Sequence, residues 1–207
     1  VLDIRESELC SDPKFINELK SCDGILFSGG NQSRIVNIIS NTPFHEILMN
    51  RFINEDFIIA GTSAGAMAMV NEMIMGGSSE ECLLKGAVKM REGMNFIKHL
   101  IIDTHFIKRG RFGRLAEAVA AFPNLIGIGL AEDTGMIIKN GNECKVIGSG
   151  MVIVFDPQDL SHNNHSILYD NTPMTMANLT THVLANGDRF FLDSRAVEVL
   201  PIDASFD

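Results

Sequence analysis

Residues 57–69, FIIAGTSAGAMAM, decide the fold. A short apolar, β-favouring run meets a Gly-x-Ser-x-Gly turn and passes into an Ala- and Met-rich segment with helical composition. A strand that ends in a glycine-flanked residue and hands straight to a helix is one βα unit of an α/β protein. A purely structural turn is made more cheaply with Asn-Gly or Asp-Gly. A serine at position 63, between Gly61 and Gly65, can instead be lifted out of a strained strand-to-helix turn at the C-terminal edge of a sheet, where a nucleophile belongs. The N–H of Ala64 then points from the start of the helix toward an attacked carbonyl and can serve as an oxyanion donor. The motif alone fits an inert tight turn or a phosphate-binding loop equally well.

Outward from this turn, strands and helices alternate. Residues 1–4, VLDI, read as a strand, and SDPKFINELKSC as a helix with Ser11 or Asp12 as N-cap and Pro13 at the first helical position. GILFSGG (24–30) is a strand that ends in two glycines, and NQSRIVNIISN and PFHEILMNRFINE follow as helices. AGAMAMVNEMI reads as a helix, LIIDTHF (100–106) as a strand, GRLAEAVAAFP as a helix closed by Pro123, and LIGIGLAED and GMIIKN as strands. This predicts a mostly parallel sheet with helices on both faces. Beyond about residue 138 the pattern turns to paired β runs around Asn140-Gly141-Asn142 and Asn186-Gly187, an antiparallel extension of the same sheet.

The composition bounds the function. The 207 residues are 45% hydrophobic and 21% charged, which suits one globular domain over 1–207. Without an apolar run of membrane-spanning length, no membrane span is expected. With 26 acidic residues against 17 Lys and Arg, a net charge of −9 argues against a nucleic-acid partner. The four cysteines (10, 22, 82 and 144) show no metal-ligand spacing and read as reduced thiols of a cytoplasmic protein. The chain begins in mid-pattern at Val1 rather than Met, which predicts a further segment upstream of it.

A serine nucleophile needs a base, and the base an acid to orient it. His105 lies just past a strand, at the same edge of the sheet, whereas His45 and His99 fall in helical or pre-strand settings. Glu132 and Asp133 end the following strand, and only one of two adjacent extended residues can face the imidazole. The order serine, histidine, acid departs from that of the α/β-hydrolases. A second glycine turn, SGGNQ (28–32), offers Asn31 and the N–H groups of Gly30 and Asn31 as anion or oxyanion donors, or is an ordinary βα connection. Lys108, Arg109, Arg111 and Arg114 crowd the residues after His105. This concentration fits recognition of a substrate carboxylate or of backbone carbonyls, or surface charge that solubilises a helix start. Because cations there oppose the dipole, it favours a functional role more than an average charge run does.

Four motifs in order, FSGGNQSRI, GTSAGAMAM, IIDTHFIKRGRFGRLAEAV and IGIGLAEDTGMII, together resemble the cyanophycinase branch of the S51 serine peptidases, relatives of the aspartyl dipeptidases. The resemblance continues through VIGSGMVIV and LANGDRFFLDSR. It implies a flavodoxin-like or class I glutamine-amidotransferase-like α/β fold, a homodimer, and hydrolysis of cyanophycin or related β-aspartyl peptides without metal or organic cofactor. By position it implies Ser63 as nucleophile, His105 as general base and Glu132 as the acid. Gln32, Asp103, Thr104, Arg109, Arg111 and Arg114 match positions that shape the substrate pocket. Thr104 stands where the family usually has Gln, and a short branched side chain cannot make the same amide contacts. The alternatives are an α-aspartyl or isoaspartyl dipeptidase without polymer activity, and a binding homologue that has lost catalysis.

Overall fold

Side-chain caps set the helix starts. Asp12 accepts from Lys14 N at 2.8 Å and opens α1 (Pro13–Ser21), as its Asp-Pro sequence predicts. Asn31 caps α2 (Gln32–Ile39) through Arg34 N, and Thr42 caps α3 (Pro43–Asn54) through His45 N. The computed structural model describes residues 1–77 and 81–201, and the chain folds as two compact units. The first comprises Val1–Met75 and Arg91–Lys98, the second Gly76–Met90 and His99–Asp207.

In the first unit, β1 (Gly24–Phe27) pairs in parallel with β2 (Ile58–Gly61), placing Phe27 beside Gly61. Leu19, Phe44 and Leu48 pack from the helices into its core with almost no exposure. The expected strand at residues 1–4 is absent, because its alternating residues find no neighbouring strand to bond. The helix expected after the serine turn is also cut short. Here α4 spans only Ala64–Ala68, and β3 (Glu72–Gly76) follows. The carbonyls that would continue the helix are taken by another segment. Met94 N bonds Ala68 O at 2.8 Å, Phe96 N bonds Met69 O at 2.9 Å, and Gly93 N bonds Asn71 O at 2.8 Å. Helix propensity loses to a long-range partner for the backbone.

Strand β4 (Lys89–Glu92) precedes the second unit's main sheet. There β5 (Leu100–Thr104) runs parallel to β6 (Ile126–Leu130), with α5 (Phe112–Ala121) between them in sequence. Leu115 and Val119 of α5 pack where Gly127 of β6 leaves room. On the other side of β6 the sheet turns antiparallel with β9 (Val152–Asp156) and β10 (Thr180–Leu184). A further sheet is antiparallel throughout, in the order β12 (Val197–Glu198), β11 (Arg189–Phe191), β8 (Glu143–Gly148), β7 (Thr134–Lys139). The Asn140-Gly141 turn closes the β7–β8 hairpin with both residues at positive φ.

The protein is therefore a mixed α/β structure whose described strand pairs are largely antiparallel. Among the described strand pairs, the mostly parallel expectation holds for β1–β2 and β5–β6. It overreached because βα alternation ends at β6, and the strands after it pair antiparallel, β9 with β6 and β10 with β9. The C-terminal strands both extend one sheet and build another. Among the described residues, no helix is long and apolar enough to cross a membrane.

Candidate active site

Ser63 is the residue between β2 and α4, and its backbone lies at φ 52, ψ −118. Positive φ is unusual for a residue with a Cβ, and this ψ falls outside the left-handed helical basin as well. The surrounding backbone enforces it. Thr62 N bonds Phe27 O at 3.0 Å and Gly65 N bonds Thr62 O at 2.9 Å, which ties both sides of the serine to fixed carbonyls. A Cβ on Gly65 would sit 2.1 Å from Phe27 O, so the helix can approach β1 only with glycine there. The 28–30 turn runs beside the serine: a Cβ on Gly29 would lie 3.4 Å from Ser63 Cβ and 3.8 Å from its Oγ. Ala64 opens α4, so its N–H has no carbonyl one turn behind it. The Asn31 side chain is engaged as a helix cap, leaving the Gly30 and Asn31 backbone as the expected donors. The amide nitrogen of Gln32 donates to Ile74 O at 3.1 Å and Met75 O at 3.0 Å, which stitches the start of α2 to β3.

In the second unit the parallel register sets Thr104 opposite Leu130. His105 and Glu132 follow these strand ends on the same edge, and His105 Nδ1 lies 3.2 Å from Glu132 Oε1. Both side chains are 34% exposed, open to a ligand yet partly shielded. Partial desolvation pushes the Glu132 carboxyl up. The hydrogen bond with His105, a bond with its own backbone and the charges of His105 and Lys108 outweigh this and hold it below the usual carboxylate value. Thr134 steadies the acid's backbone. Its hydroxyl donates to Glu132 O at 2.9 Å and accepts from Gly150 N at 2.9 Å, a role marked in the sequence only by a threonine two residues after the acid. Asp133, the other candidate acid, is exposed at φ 52. His45 is bonded to Met94 O at 2.8 Å and edge-on to Phe96, a structural role. His99 precedes β5, at the strand end opposite His105.

The basic cluster divides. Asp103 is fully buried and takes Arg114 Nε at 2.7 Å, a second bond from Arg114 Nη2, and Arg111 Nη1 at 2.9 Å. Arg111 and Arg114 are 12% and 6% exposed. The pairing capacity expected for a substrate's charges is, for these three residues, used within the chain. Arg109 and Lys108 are exposed, and Thr104 is buried at the end of β5. All four cysteines are free thiols, and burial pushes that of Cys144 up to about 12. Among the described residues, no cluster of three or more His, Cys, Asp or Glu could hold a metal ion.

The family model of peptidase family S51 matches residues 3–146. This chain belongs to peptidase family S51. The match covers the serine turn, the His105 turn and Glu132. Among curated S51-like relatives, the chain is 41% identical over 197 residues to a cyanophycinase of Trichormus variabilis, covering 95% of this chain and 66% of that protein. It is 35% identical over 190 residues to a cyanophycinase of Geminocystis herdmanii, covering 92% and 70%. The chain thus spans 66% of the length of the first of these. In fold it is similar to a solved peptidase from an acI-B1 Actinobacterium, with TM-score 0.62 at 20% identity, covering 92% of this chain and 68% of that one.

Proposed function

We propose that this S51 chain carries the machinery of a serine peptidase that cleaves cyanophycin or related β-Asp-Arg peptides through an acyl-enzyme. The observation that carries the reading is the Ser63 backbone at φ 52, ψ −118, a conformation whose cost is repaid by presenting a hydroxyl. His105, with its Nδ1 proton given to Glu132, keeps Nε2 as the base for the Ser63 proton. Ser63 Oγ attacks the β-aspartyl carbonyl, and the oxyanion is received by Ala64 N–H and the Gly30–Asn31 backbone. The imidazolium, stabilised by Glu132, protonates the leaving amine, and water then releases the acyl group from Ser63.

Arg109, exposed in the turn after His105, is the cation best placed to meet a substrate carboxylate. Gln32, at the start of α2, and Thr104, at the end of β5, are the further residues proposed to shape substrate binding. The names of the curated relatives support cyanophycin as the substrate, and the proposed working form is a homodimer in the cytoplasm. The test is hydrolysis by the full-length protein of cyanophycin, β-Asp-Arg, β-Asp-Lys and α-Asp dipeptides. Turnover of the first two is expected, with a loss of roughly 10⁴-fold or more in Ser63→Ala at unchanged thermal stability. Cleavage confined to α-Asp or other small dipeptides would replace the polymer substrate. Undiminished turnover in Ser63→Ala would refute the mechanism.

A further inference from the structure

We infer that Asp103, Arg111 and Arg114 act as a positioning unit for His105. The inference rests on the proposed reading of His105 as general base and deepens it. The unit grips the peptide groups that lead into the histidine. Asp103 Oδ1 accepts Thr104 N at 2.9 Å, and Arg111 Nη1 donates to Thr104 O at 2.6 Å as well as to Asp103. Thr104 O belongs to the peptide bond that joins Thr104 to His105 and Thr104 N to the peptide bond before it, so two successive peptide groups ahead of the imidazole are each held at one polar atom. His105 itself stands at φ 53, a left-handed conformation that a residue with a Cβ keeps only where neighbours over-determine it.

The same arginine closes the turn at its far end. Arg111 N bonds Phe106 O at 3.0 Å and Arg109 N bonds His105 O at 3.0 Å, so residues 105–111 form a loop cross-braced at start and finish. Phe106, fully buried, lies against Gly129, where a Cβ would meet its ring at 2.5 Å. The backbone that carries the imidazole is therefore held on both sides, its preceding peptides by the ion cluster and its following residue by the sheet. Arg114 holds Asp103 in a two-pronged pair, which aims the carboxylate's remaining acceptor capacity at Thr104 N and Arg111. One carboxylate facing two guanidiniums also makes Arg111 the removable member, since Asp103 and Arg114 stay mutually neutralised without it.

The experiment compares full-length wild type with Arg111→Met, Arg111→Gln and Arg111→Lys. Steady-state hydrolysis of β-Asp-Arg is measured alongside the carbon-bound proton signal of the His105 imidazole in NMR spectra. A positioning role predicts that kcat falls by about 10²-fold in Arg111→Met with KM little changed, and that Arg111→Lys recovers part of the loss. It also predicts that the His105 signal broadens or shifts in both neutral variants. A rise in KM at constant kcat would overturn the inference and make Arg111 a substrate contact. An unaltered His105 signal would overturn it too. Should wild type hydrolyse none of the peptides, the proposed function fails on its own, and the His105 signal still decides whether the cluster holds the imidazole.

Discussion

Ser63 and His105 share an unusual backbone, at φ 52 and φ 53, yet they are held in it by different means. Around Ser63 the constraint is main chain against main chain: Gly65 lets α4 press on Phe27 O, and Thr62 hangs from the same carbonyl. Around His105 the main-chain bonds of the 105–111 turn are joined by side chains gripping main chain: Asp103 and Arg111 hold Thr104, and Arg114 holds Asp103. A backbone-held turn is rigid and intolerant of added atoms. A side-chain-held turn is tunable, and its failure comes through charge.

That contrast can be broken from either side. Asp103→Asn should have the largest effect, because it leaves two buried guanidiniums without a counter-charge. Loss of one member of such a cluster costs about 3–5 kcal/mol, read as a lower urea midpoint. Gly65→Ala attacks the other turn, and displacing Phe27 O should cost about 1–3 kcal/mol with activity falling as the serine shifts. Comparable loss of stability in Gly65→Ala with Ser63 reactivity intact would show that the turn is not backbone-held. Glu132→Gln is the mildest and sharpens the account through pH. The folded carboxyl lies below its unfolded value of 4.5. Its contribution to stability is therefore present above that value and disappears as pH falls through the depressed folded value. The melting-temperature gap between wild type and Glu132→Gln should be steady at roughly pH 6–8 and should close in acid. A gap that widens in acid would contradict the depressed value.

The same difference explains what the sequence could disclose. The serine turn is written in five adjacent letters, and the caps at Asp12 and the Asn140-Gly141 hairpin are equally local, so all of these were legible. The pairing of His105 with Glu132 followed from two strand ends in one register. What stayed hidden depended on partners far along the chain. The helix after Ser63 ends at Ala68 because residues 93–96 claim its carbonyls, and no local propensity encodes that. Arg111 and Arg114 read, with Arg109, as a surface for anions, because only folding shows that Asp103 meets these two with its carboxylate. Strand direction was misjudged past β6 for the same reason: alternation with helices reveals a parallel crossover, but a bare β run does not say which neighbour it will join.

The central claim, that Ser63 is activated by the His105–Glu132 pair, is tested most directly by reacting the full-length protein with a fluorophosphonate and locating the adduct by peptide mass spectrometry. A single adduct on Ser63 is expected in wild type, forming far more slowly when His105 is replaced by Asn. An unmodified Ser63, or labelling at the same rate without the imidazole, would contradict it.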